Sequence, residues 1–104
     1  MRVALGIEDH LDAFARRHSA LTWKQFVEDH PENWKSTFLR FLNDPVVSVF
    51  LNLDGVDVWR GIARAAVNRG GATDWELLQI RQNPEWWPRI SWIKGDRNVL
   101  NPFL

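Results

Sequence analysis

The chain has 104 residues, with 13 basic and 13 acidic side chains and no net formal charge. That length suits one domain, residues 1–104, with its own core. Hydrophobic residues at 45% and charged residues at 25% exclude a disordered or low-complexity chain, and the lack of Cys excludes disulfides, thiolate metal sites and thiol nucleophiles.

Charge is uneven along the chain: residues 1–57 carry nine acidic and six basic groups, residues 58–104 four and seven. The near-neutral total offers no global basic footprint for nucleic acid. The longest uncharged stretch, Pro45 to Leu53, is nine residues. A bilayer span needs about 20, so no membrane segment is expected. Met1 to Gly6 contains no apolar h-region, so no secretion signal is expected. Synthesis in the cytosol, or export as part of something larger, follows.

In chain order, Glu8 and Asp9 suit a helix start, and Leu11, Phe14, Ala15 and His18 follow helical spacing. Ser19-Ala20-Leu21 should break that helix. Thr22 to Gln25 has the form of a capping box and opens a short helix carrying Trp23, Phe26 and Val27. His30-Pro31 ends it, and Pro31 suits the start of the next, with Trp34, Phe38, Phe41 and Leu42 on its apolar face. Asn43-Asp44-Pro45 closes that helix. Val46 to Leu53 is β-branched and reads as a strand, followed by an Asp54-Gly55 turn.

Trp59, Ile62, Ala63, Ala66 and Val67 predict a helix over 57–69, stopped by Gly70-Gly71. Thr73 to Glu76 forms a second capping box, opening a helix to about Gln82. Pro84 to Pro88 reads as a turn or loop, Ile90 to Ile93 as a strand, and the tail as a further short strand. The fold class is α+β: mostly helical, about five helices, with a small two- or three-stranded sheet.

Metal chemistry is not expected. His10, His18 and His30 lack the i, i+4 spacing of a helical zinc pair, and His10 and His18 lie about 12 Å apart along a helix. Glu8-Asp9-His10-Asp12 reads as a solvated helix start, and Asn52 to Asp57 lacks the closing glutamate of a calcium loop. No phosphate-loop, G-x-G-x-x-G or G-x-S-x-G motif is present.

The chemistry concentrates between Asn52 and Glu76. Asn52 and Asp54 end a strand, where α/β sheets carry site residues. Arg60 and Arg64, one helical turn apart, suit a phosphate or a solvated helix flank. His10 is the natural acid/base by residue type. Asp54 or Glu76 would supply the carboxylate, although Glu76 also reads simply as the last residue of its capping box. A histidine, arginines and a carboxylate suit ribonuclease chemistry. The same set suits an attack on NAD, with arginine on the diphosphate and Glu76 steadying a ribosyl cation. Asp74-x-Glu76 resembles the paired acidic residues of ADP-ribosyltransferases. Trp23, Trp34, Trp59 and Trp75 fall on apolar helix faces and read as core. Trp86-Trp87, between two prolines, should leave an indole exposed for base stacking or a protein partner.

Leu5-Gly6-Ile7, His10 to Ala15, Asn52 to Val56, Gly70 to Leu77, Asn83-Pro84 and Asn101-Pro102-Phe103 together resemble the C-terminal toxin domains of polymorphic bacterial toxins, the Rhs-type and related contact-dependent or type VI effectors. The resemblance implies delivery as part of a larger secreted effector, action in the target-cell cytoplasm and neutralisation by a cognate immunity protein. It implies an enzyme, first an RNase acting on nucleic acid without a cofactor, alternatively an ADP-ribosyltransferase or NAD glycohydrolase with NAD as substrate. A non-enzymatic immunity or adaptor module is the third reading. The family's catalytic residues have no motif match on this chain, so none is carried over.

Overall fold

The computed structural model describes residues 1–27 and 30–104, with the side chains of Gln25, Phe26 and Pro31 also outside the description. The Gln25 end of the first capping box and the apolar position of Phe26 therefore lie outside the described residues.

Four strands form one mixed sheet in the order β1 (Arg2–Leu5), β2 (Ser48–Asn52), β3 (Ile90–Lys94), β4 (Arg97–Asn98). The first three are parallel, and β4 folds back antiparallel on β3. The sheet thus has four strands rather than two or three. Strand β1 was hidden in the sequence because Val3-Ala4-Leu5 is too short to show alternation. Its outer edge is covered by backbone bonds to Leu21: Ala4 N–H donates to Leu21 O at 2.8 Å and Leu21 N–H to Arg2 O at 2.9 Å.

The period-two alternation of side chains assigns each face of the sheet. Val3, Leu5, Val49, Leu51, Ile90 and Trp92 enter the larger core, whereas Ala4 and Ile93 enter the smaller. Helix α1 (Glu8–Arg17) covers the smaller core with Leu11, Phe14 and Ala15. The larger core takes α3 (Trp34–Asn43), α4 (Val58–Ala66) and α5 (Ala72–Gln82), after the short α2 (Lys24–Val27). His18 ends α1 and Ser19 turns with a positive φ of 51°, where the sequence placed a break.

Three expectations shift. Helix α4 buries Gly61, Ile62 and Ala65, so its inner face is rotated from the predicted one, and Ala63, Ala66 and Val67 are exposed. The small side chains win because α4 packs closely on α5, where bulk would not fit. Trp59 is consequently 52% exposed, resting edge-on against Phe103 under the Arg81 guanidinium. The segment Pro84–Arg89 is a 3-10 helix rather than a loop. That turn drops Trp86 into the core at 2% exposure, its Nε1 donating to Asn43 Oδ1 at 2.9 Å. Trp86 therefore has no face to offer a base or a partner. Trp87 is half-buried, its Nε1 donating to Ile80 O at 2.7 Å.

Candidate functional site

A cleft of about 530 Å³ opens at the C-terminal end of β1, between the starts of α1, α2 and α5. This is the end of a parallel sheet at which ligands are commonly held. Gly6 makes the turn out of β1 with a φ of +154°, and a Cβ there would lie 3.1 Å from that of Asn52. The ends of β1 and β2 can approach only because residue 6 is glycine. Thr73 Oγ1 donates to Gly6 O at 3.2 Å, which ties the first turn of α5 to this edge. Trp23 and Trp34 wall the cleft with Ile7, Leu11 and Val27, and Glu8 and Lys24 stand at it as an ion pair of 3.2 Å.

Glu76 lines this cleft at 3% exposure. Trp23 Nε1 donates to its Oε2 at 2.8 Å. Burial pushes the carboxyl up to about 8, because desolvation penalises the anion; the indole bond acts against this but is the smaller effect. At neutral pH Glu76 is therefore mainly a protonated acid, able to donate. The second capping box does not form at Thr73 and Glu76. Helix α5 begins two residues earlier, and Asp74 accepts from Gly71 N–H at 3.2 Å instead. Glu76 is thus freed from helix capping and points to Trp23.

Asp74 lines the same cleft in the opposite state. Arg64 grips it with two bonds, Nε to Oδ2 at 2.9 Å and Nη2 to Oδ1 at 3.1 Å. The Arg64 guanidinium, and next the Gly71 amide, hold the Asp74 carboxyl below the usual carboxylate range despite partial burial. Two glycines make room for it: a Cβ on Gly61 would lie 2.5 Å from Asp74 Oδ1, and one on Gly70 would collide with Oδ2. Two carboxyls two residues apart are thus driven to opposite protonation states, a pattern that separates acid from anion in catalytic sites.

The remaining predicted residues are dispersed. His10 is exposed on α1 and does not line the cleft. Arg60 is exposed and lines no described pocket, and Arg64 reaches the cleft only through Asp74. Asn52 is 2% exposed, and its Oδ1 accepts from Asp54 N–H at 3.0 Å. Asp54 Oδ1 accepts from Gly95 N–H at 2.8 Å. These two side chains shape the loop after β2 and pin it to the β3–β4 turn. Of the predicted carboxylates, Glu76 is the one in the cleft. Trp23 packs on the core as expected, stacked on Phe41, but it also walls the cleft, as does Trp34, and Asp74, expected only as part of a short acidic pattern, lines it too. The Asp74-x-Glu76 spacing was the available signal.

Among the described residues no group of three or more His, Asp or Glu side chains is placed to hold a metal ion, and no helix is long and apolar enough to cross a membrane. No protein-family model matches the chain, and no curated protein or solved structure matches it either. The functional reading therefore stands on the cleft itself.

Proposed function

We propose that this chain is the catalytic domain of an interbacterial effector toxin and that it hydrolyses the N-glycosidic bond of a free nucleotide in the target-cell cytoplasm. The observation that carries the reading is the protonated, buried Glu76 carboxyl in a cleft walled by Trp23 and Trp34. A volume of about 530 Å³ suits a nucleotide-sized ligand. Flat indoles suit a base.

Glu76 donates its proton to a ring nitrogen of the leaving base. The C1′–N bond breaks with its electron pair on the base, leaving a ribosyl cation. Water adds to C1′ and releases a proton to solvent, and solvent reprotonates Glu76. Asp74, held ionised by Arg64, places negative charge on the same cleft and steadies the cation.

This reading shares glycosidic-bond cleavage with the NAD-consuming alternative and is favoured over the ribonuclease one, because His10 and Arg60 lie outside the cleft. General acid at Glu76 favours a neutral purine as leaving group, since a cationic nicotinamide departs without a proton. A cognate immunity protein would act by covering the mouth of the cleft.

The test is release of free base from AMP, GMP and NAD by the purified chain, followed chromatographically. Purine release that is lost in Glu76→Gln, with kcat/KM falling as pH rises through about 8, is expected. Absence of base release from all three nucleotides by folded protein between about pH 5 and 9 would sink the proposal. Growth arrest on cytosolic expression, relieved by Glu76→Gln, tests the toxin role.

A further inference from the structure

Beside the Glu76 cleft lies a second pocket of about 250 Å³, lined by Lys35, Asn68, Arg69 and Trp75 and sharing Trp34, Gly71 and Ala72 with the first. Among the described residues its charged lining is wholly basic, Lys35 and Arg69, with no carboxylate. Among the described residues neither cation forms an ion pair. The Lys35 ammonium is held instead over aromatic faces, 5.2 Å from the Trp75 ring centre and 5.6 Å from that of Trp34. The nearby carboxylate, Asp74, is paired with Arg64 and lines the other cleft rather than this pocket.

Two cations with no counter-ion among the described residues, in one concavity, create a positive potential that attracts an anion. Guanidinium and ammonium are the usual phosphate ligands. The shared wall of Trp34, Gly71 and Ala72 makes the two concavities neighbours.

We propose that Lys35 and Arg69 form the phosphate subsite for the nucleotide whose glycosidic bond reaches Glu76. The subsite rests on the proposed function for the identity of its ligand, and replaces the Arg60–Arg64 pair expected from sequence. The phosphate sits between Lys35 and Arg69, and the ribose passes Trp34 and Gly71 with the base in the indole-walled cleft. A free mononucleotide is favoured over an RNA chain, because the chain carries no net charge with which to follow a polyanion.

The experiment is calorimetric titration of the full chain with inorganic pyrophosphate, AMP, adenosine and a short single-stranded RNA. Parent protein, Lys35→Gln, Arg69→Gln, Arg60→Gln and Glu76→Gln are compared. AMP is expected to bind at least tenfold more tightly than adenosine. Lys35→Gln and Arg69→Gln should each weaken AMP and pyrophosphate at least tenfold, with Arg60→Gln unchanged. Glu76→Gln should retain phosphate binding, which separates the two proposals: binding without base release by the parent would defeat the glycosidic reading and leave the subsite standing. Equal affinities for AMP and adenosine, or AMP binding indifferent to both Lys35→Gln and Arg69→Gln, would overturn the subsite. RNA binding more tightly than AMP through the same two residues would overturn the free-nucleotide assignment.

Discussion

The indole Nε1 of Trp23 donates to Glu76 Oε2 at 2.8 Å, joining residues 53 apart in sequence across the floor of one cleft. A buried acid whose donor among the described residues is a single indole stays protonated, because one neutral hydrogen bond does not replace the hydration of a carboxylate.

That pairing gives stability a definite pH dependence. The carboxyl is raised from 4.5 unfolded to about 8 folded, so its contribution is full below about 4.5 and declines as pH rises to about 8. The slope reaches up to about 1.4 kcal/mol per pH unit. Glu76→Gln keeps an acceptor for Trp23 and has no proton to lose. Urea denaturation should find the variant close to the parent near pH 5 and clearly more stable near pH 9. Equal slopes in the two proteins would contradict the assignment. Asp74 works in the other direction: its lowered carboxyl stabilises above its ordinary 3.8 and loses that contribution as pH falls below it.

Gly61 and Asp74 should be energetically coupled. Alanine in a helix interior normally gains about 1 kcal/mol over glycine. At Gly61 the new Cβ would stand 2.5 Å from Asp74 Oδ1 and push the carboxylate off Arg64, so Gly61→Ala should destabilise the parent. In an Asp74→Ala background the same change should stabilise. A four-protein denaturation cycle reads the sign change, and additivity would refute the coupling.

Arg89 is the main polar fastener between the end of α3 and the start of β3. Its Nη1 donates to Asp44 O and Val47 O, both at 2.8 Å, and its Nη2 to Leu42 O. Arg89→Ala should cost about 2–3 kcal/mol, since it strands carbonyls in a part-buried corner. Arg89→Lys should recover only a fraction, because one ammonium cannot match the geometry of the fork. Full recovery by lysine would show that charge alone matters.

Trp86 and Trp92 make a matched pair of probes. Both are buried, but Trp86 Nε1 has Asn43 Oδ1 as acceptor, whereas Trp92 Nε1 has no partner among the described residues. Trp92→Phe removes a stranded donor, whereas Trp86→Phe strands Asn43. The Trp92 change should be the milder by about 1 kcal/mol in thermal or urea unfolding. The reverse order would mean that Trp92 has a hidden acceptor such as water.

Glycine and proline punctuation, a β-branched run and the 3.6 period placed α1, α3, α5, β2 and β3 to within a few residues, because those signals are local. They also set the α+β class and the break at Ser19. The inner face of α4, strand β1 and the fate of Trp86 were not legible. Each depends on which neighbour the segment meets: α5 pressing on Gly61 and Ala65, β2 pairing with four residues at the N-terminus, and a 3-10 turn aiming one indole inward.

The site divides in the same way. The sequence by itself determined that Asp74 and Glu76 stand two residues apart at the start of one helix. Tertiary structure alone decided which would be the acid. Trp23 and the surrounding apolar walls strip water from Glu76, while Arg64 and Gly71 hold Asp74 ionised. Protonation state follows desolvation and partner charge, and both are properties of the fold rather than of the residue.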